Sequence, residues 1–286
     1  MTKKSTLLLI SSFLFYNLAM ADNNLLLHGD AENGNIWTPE VQISTVDKKS
    51  GQASFVLKSD GVVTVRSALI PIDPAKTYRL SGWFKSASAE QKSVTSFGLR
   101  MLNEKNQLIT RSNVTIVPES DTEVVEDAPA GAQGLLVRDA SKWLKRRSIR
   151  SMVVFQTEPD GRDIPNFKVS SLITRVKKCP DKPDFWEIQL ERALSQPVNA
   201  GTKVRQHLYG GACDCALAYR GVPAEWTFYS ATLRGKSVNE APFDKFWPGT
   251  VAVEVFVLAN AARNGSELFF DDLRFEEITP EADNKP

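Results

Sequence analysis

The dominant spacing of apolar residues along this chain is two, not 3.6. Ser54-Phe55-Val56-Leu57 and Val62-Val63-Thr64-Val65 are short apolar runs, bounded by Gly51 and by Ser59-Asp60-Gly61. YRLSGWFK over Tyr78–Lys85, Phe97–Leu102, VAVEVFVL over Val251–Leu258 and LFFDDLRF over Leu268–Phe275 continue the pattern. Runs of this length, rich in β-branched and aromatic residues and separated by Gly, Asn, Asp and Pro, predict strands of an antiparallel sandwich. No alternation of strand and helix patterns occurs, which disfavours a parallel α/β sheet. One short turn or helix is predicted over Ala140–Arg147.

The segment from Asn113 to Pro129 is rich in Pro, Ser, Asp and Glu and separates two β-rich stretches. Beyond it, strands are predicted at Gly134–Ser141, Arg150–Gln156, Ser171–Val176 and Phe185–Leu190, with Ala200–Val204 closing the unit. Strands and loops of these lengths predict a compact small barrel of about 70–80 residues. It reads as an insertion between sandwich strands, which is thermodynamically mild because loop-closure entropy grows slowly with length.

The N-terminus changes the picture of where the chain works. Lys3 and Lys4 precede the apolar Thr6–Phe15, then Ala19-Met20-Ala21, then polar Asp22-Asn23-Asn24. That order is the pattern of a cleaved secretory signal peptide, residues 1–21, and implies a secreted or periplasmic protein with no membrane span after cleavage. Lys and Arg number 35 against 34 Asp and Glu. Such a balance disfavours nucleic acid as a partner, which calls for a basic surface. Cys179, Cys213 and Cys215 are the cysteines. One intervening residue is poor geometry for a bridge between the last two, so an oxidising compartment predicts Cys179 paired with Cys213 or Cys215.

The mature start NLLLHGDAENG, then Trp37, SGQASFVLKSD, ALIPIDPAKTYRLSGWFK, and the late LFFDDLRFEE occur in that order. Together they resemble carbohydrate-binding modules of families 4, 9 and 22 and their galactose-binding-like relatives. His28 stands where Asn is usual, and Ala31 where Phe is usual. The resemblance implies an all-β jelly-roll β-sandwich over 22–115 and 206–280. The small β-barrel-like subdomain over 116–205 is then inserted in it, and 281–286 form a tail. The middle, with GLLVRDASKW, RSMVVF, PNFKVSSLITRV, WEIQLERAL and NAGTKV in that order, resembles small β-repeats of phage-tail and cell-surface proteins. The resemblance further implies a structural Ca²⁺ between first and last strands, held by Asp30, Glu32 and Asp271, with carbonyls near Lys49 or Ser50 completing the shell. Asp271 is favoured over Asp272 because adjacent strand residues face opposite ways.

Sugars present flat C–H faces on which aromatic rings stack, while polar neighbours take the hydroxyls. Trp83, Arg100, Trp226 and Tyr229 are the expected floor of such a groove, Arg100 offering a planar fork to a hydroxyl pair or a carboxylate. A catalytic alternative rests on Arg205, His207 and Tyr209, which strand spacing puts on one face. Arg, His and Tyr together suit a polysaccharide lyase or glycosidase. No G-x-S-x-G elbow, P-loop or Rossmann glycine run is present. Three functions follow: a non-catalytic polysaccharide binder, free or within a larger carbohydrate-active assembly; an enzyme of the second kind; and a structural or adhesion protein that binds another protein.

Overall fold

The computed structural model describes residues 23–34, 37–39, 41–146 and 148–279. The signal-peptide expectation and the tail lie outside them. The chain first forms β1 (Gln42–Ser44), β2 (Ser54–Lys58), β3 (Val63–Arg66), β4 (Ile70–Pro71), β5 (Thr77–Ser86), β6 (Val94–Leu102) and β7 (Leu108–Ile109). A one-turn helix, α1 (Arg111–Val114), leads into β8 (Thr122–Glu123), β9 (Gly134–Val137), β10 (Ser151–Phe155), β11 (Val169–Lys178), β12 (Trp186–Leu190) and β13 (Lys203–Leu208). Then come β14 (Cys213–Gly221), β15 (Thr227–Arg234), β16 (Ala252–Ala259) and β17 (Glu267–Ile278). Helix is confined to α1 and a 3₁₀ turn at Pro159–Gly161 among the described residues; Ala140–Trp143 forms a turn.

Two antiparallel sheets make the sandwich. One runs β1-β2-β17-β5-β15; the other runs β14-β6-β16-β3, with β4 beside β16 and β7 beside β6. This is the antiparallel sandwich that the period-two pattern predicts, of the all-β jelly-roll class that the resemblance implies. Alternation decides what each strand buries. In β16, Val253, Val255 and Val257 enter the core, and Glu254, Phe256 and Leu258 point away from it. Phe84 of the first sheet meets Phe97 of the second at 4.8 Å between centroids, which locks the layers together. Phe55 and Phe270 stack at 5.1 Å within the first sheet.

The two ends of the sandwich lie side by side, as the resemblance implies. Leu25 N–H donates to Phe275 O at 2.8 Å, and Leu273 N–H to Gly29 O at 2.9 Å. A Cβ at Gly29 would stand 2.0 Å from Leu273 O, so the close approach requires glycine. His28 has φ of 51°, a left-handed conformation in which His, like Asn and Asp, is more often found than other residues.

The third sheet runs β8-β13-β10-β11-β12-β9. It closes on itself, because Val125 N–H donates to Leu136 O and Arg138 N–H to Glu123 O. The barrel has its own core, from Val124 through Trp143 and Val153 to Val204. The expected limit at residue 205 falls inside β13, which continues to Leu208. Among the described residues no helix is long and apolar enough to cross a membrane.

Candidate functional site

The outer face of the second sheet carries a groove of about 440 Å³. Thr64 of β3, Arg100 of β6, and Phe256 and Leu258 of β16 floor it, since these positions alternate with the core-facing ones. Arg100 and Glu254 are cross-strand partners, and Arg100 Nε donates to Glu254 Oε2 at 2.8 Å.

Irregular pairing of β14 with β6 builds one wall. Cys213 faces Leu99 and Leu217 faces Phe97, so four steps on β14 match two on β6. A second slip follows between Leu217 and Arg220. Bulges of this kind re-aim side chains. The first swings Asp214 into the groove, and a Cβ at Gly98 would collide with Cys213 O at 2.0 Å. The second leaves Tyr219 at φ 46°, 60% exposed, its N–H donating to Ser96 Oγ at 3.1 Å. An aromatic residue held at positive φ stores about 1–3 kcal/mol of strain, of the kind that clusters at binding sites. Burial pushes the Asp214 carboxyl up, partly offset by a hydrogen bond with Ser96.

The other walls are loops. Tyr209 is half exposed, and the Arg150 guanidinium sits 4.1 Å over its ring. Gly210 lies against the stem of Arg111, where a Cβ would come within 2.7 Å. Arg111 Nε is buried without a hydrogen-bond partner. Phe243, half exposed, also lines the groove, as does buried Trp247, whose Nε1–H donates to Pro242 O at 3.0 Å. Open rings around fixed polar groups suit a ligand that has both flat apolar faces and hydroxyls. A larger cleft, about 850 Å³, lies on the barrel beside Phe155, Phe167 and Arg192. Size alone does not make it the better site, because the smaller groove is the one where unpaired polar groups and open rings converge.

Of the four residues expected to floor a groove, only Arg100 is in this one. Trp83 lies on the outer face of the first sheet, with Phe228 at 5.1 Å and Lys49 Nζ 4.0 Å over its ring. Tyr229 packs toward the core against Phe84 at 5.9 Å, and Trp226 precedes β15. The two sheets turn their outer faces in opposite directions, so Trp83 and Arg100 cannot share a ligand.

The Arg205, His207 and Tyr209 face is corrected by burial. Arg205 is 1% exposed and His207 fully buried, whereas Tyr209 lies beyond β13 at the groove. Arg205 Nε donates to His207 Nε2 at 2.9 Å, and His207 Nδ1 bonds Ser112 O at 2.8 Å. A guanidinium only donates and a carbonyl only accepts, so the imidazole is neutral with its proton on Nδ1. Burial, with the Arg205 charge against it, lowers the His207 pKa to about 4 despite the Ser112 hydrogen bond. Both ring nitrogens are engaged, so His207 has no lone pair or proton to offer a substrate.

The carboxylates expected to hold calcium are taken up by amides. Asp271 Oδ2 accepts from Lys49 N–H and Ser50 N–H at 3.0 and 2.9 Å, and Oδ1 from Asp272 N–H. Glu32 Oε1 accepts from Gln52 N–H and Ala53 N–H, and Asp30 Oδ1 from Glu32 N–H. Calcium takes six to eight oxygens; in this structure the loop turns backbone N–H donors toward these acids. Among the described residues no three His, Cys, Asp or Glu form a metal-holding group.

The expected Cys179 disulfide is also absent, and all three cysteines are free. Cys179 ends the β11–β12 hairpin of the barrel, whereas Cys213 is buried in the sandwich core. A hydrogen bond to Cys215, together with burial, holds the Cys213 thiol well above its ordinary range.

No protein-family model and no curated protein matches the chain. Among solved structures it is similar to a family 16 carbohydrate-binding module, at 12% identity over 89% of this chain and all of that one, with a TM-score of 0.32. A family 61 module in complex with β-1,4-galactotriose is 11% identical over 89% of this chain and 99% of that one, TM-score 0.31. The enzymatically active domain of tailspike protein 4 from bacteriophage CBA120 is 10% identical over 90% of this chain but 22% of that one, TM-score 0.36. Likeness this distant has no bearing on function.

Proposed function

We propose that this is a secreted or periplasmic, non-catalytic carbohydrate-binding protein that holds a polysaccharide in the groove over the second sheet. In this reading the sandwich is the host of the site and the barrel its inserted guest. The observation that carries it is the presentation of Tyr219: a strained, outward aromatic beside Asp214 and Arg100, with Tyr209 and Phe243 at the other walls. A core does not need an aromatic residue held open at a backbone cost. The buried hydrogen bonding of Arg205 and His207 supports binding over the lyase or glycosidase alternative.

Tyr219→Asn tests the reading. Asn tolerates left-handed backbone, so the variant keeps its fold and its melting temperature. Its affinity for glycan is expected to fall roughly 30-fold, the ~2 kcal/mol of a buried aromatic anchor. Affinity electrophoresis through polysaccharide-loaded gels measures it. Undiminished retention of a Tyr209→Ala, Tyr219→Asn double variant would overturn the proposal.

A further inference from the structure

The charges around the groove do not balance. Glu254 serves two guanidinium groups, Arg100 at 2.8 Å and Arg66 at 3.9 Å. Arg150 sits over the ring of Tyr209 at the rim. Asp214 hydrogen-bonds Ser96 and forms no ion pair with any of them among the described residues. Arg111 stands apart from all of these. Its Nε is buried without a partner, and its side chain makes no ion pair among the described residues.

This is an arginine held in place rather than one swinging in solvent. Its stem lies against Gly210, and its backbone N–H, not its guanidinium, donates to Gly211 O at 3.1 Å. A buried donor left unmade costs about 1–3 kcal/mol, and more when the group is charged. A sugar hydroxyl would satisfy the hydrogen bond and leave the charge without a counter-ion. A carboxylate satisfies both, through the paired N–H···O geometry that a guanidinium presents.

We propose that the ligand of this groove is an anionic glycan, a polysaccharide that contains uronic acid, and that Arg111 receives its carboxylate. The proposal rests on the carbohydrate-binding reading above and names the class of sugar. Asp214 then faces ring hydroxyls, and Tyr209 and Tyr219 the C–H faces.

The test compares polygalacturonate and alginate with neutral galactan and xylan, by titration calorimetry on the full chain. Anionic polymers are expected to bind about tenfold more tightly, the difference between a charged and a neutral hydrogen bond. That advantage should shrink as ionic strength is raised from low to physiological. Arg111→Gln should abolish the preference, so that the variant binds anionic and neutral polymers alike, because Gln donates only a neutral hydrogen bond. Circular dichroism melts establish that the variant is folded, and Arg111→Lys, which keeps the charge without the fork, should recover part of the preference. Neutral polymers bound as tightly as anionic ones, or an Arg111→Gln variant with its preference intact, would overturn this inference and leave carbohydrate binding standing. Failure of every polysaccharide to bind would overturn both.

Discussion

Replacing Asp163 with alanine is expected to lower the free energy of unfolding by about 3–5 kcal/mol, the usual effect of removing one partner from a buried ion pair. Arg205 is 1% exposed, and its Nη2 donates to both Asp163 oxygens at 2.7 and 2.8 Å. Its Nε is given to His207 and its Nη1 to Glu158 O. Without Asp163 the cation stays buried, and the nearest other carboxylate, Asp121, is 3.8 Å away and largely exposed. Asp163 also accepts from Asn166 Nδ2 and from Glu158 N–H, and Asn166 in turn exchanges hydrogen bonds with Asn113 of α1. The pair therefore fastens barrel to sandwich. Asp163→Asn, which keeps shape and loses charge, should fall between the wild type and Asp163→Ala. Urea unfolding followed by tryptophan fluorescence measures the series. A loss under about 1 kcal/mol for Asp163→Ala would mean that Asp121 swings in and the pair is dispensable.

Acid should weaken the same network in two separate steps. In the folded chain His207 titrates at about 4, against an ordinary value of 6.5. Between those values the unfolded chain takes up a proton that the folded chain refuses, so stability falls as pH falls. At about 1.4 kcal/mol per pH unit, the window amounts to about 3 kcal/mol, fully lost near pH 4. Asp163 acts lower. Burial raises its pKa, but Asn166, the Glu158 amide and Arg205 outweigh burial and hold it below the ordinary carboxylate value. Its contribution is present above an unfolded pKa of about 3.9 and is lost as pH drops further. His207→Gln can accept from Arg205 and donate to Ser112, and it does not titrate. Thermal melts from pH 7 to pH 4 should slope for the wild type and run nearly flat for this variant. Parallel curves would show that His207 is not the group responsible.

The strands that alternate cleanly were legible, because one face of each is core. YRLSGWFK and VAVEVFVL predict β5 and β16 to within two residues. The groove was not legible, and the reason is β14. Its sequence, CDCALAYRG, loses step with β6 at two bulges, and a bulge is a property of pairing, not of composition. Tyr219 therefore does not stand where a count of two puts it. The positive φ at that residue is a tertiary effect for which an aromatic side chain gives no local signal. Arg205 and His207 do share a face of one strand, as spacing implies, yet spacing cannot say that the face is covered by Asp163 and by Ser112 of α1. Trp83 and Arg100 both read as open strand positions, and only the assignment of β5 and β6 to different sheets separates them.

Ser112 has neighbours on two sides. Its carbonyl accepts a hydrogen bond from His207 Nδ1–H, and its hydroxyl exchanges hydrogen bonds with Gly210 at 3.2 and 3.3 Å. Gly210 belongs to the rim of the groove, and β13, which carries His207, is a stave of the barrel. A polysaccharide held in the groove, as proposed above, would thus brace the barrel as well as the sandwich. Mass action gives that brace a size: at a hundred times its dissociation constant a ligand adds about 2.7 kcal/mol to whatever must come apart for release. If the proposed ligand binds there, it would act as a keel for the whole chain, and a chain without it would be the first to founder in acid.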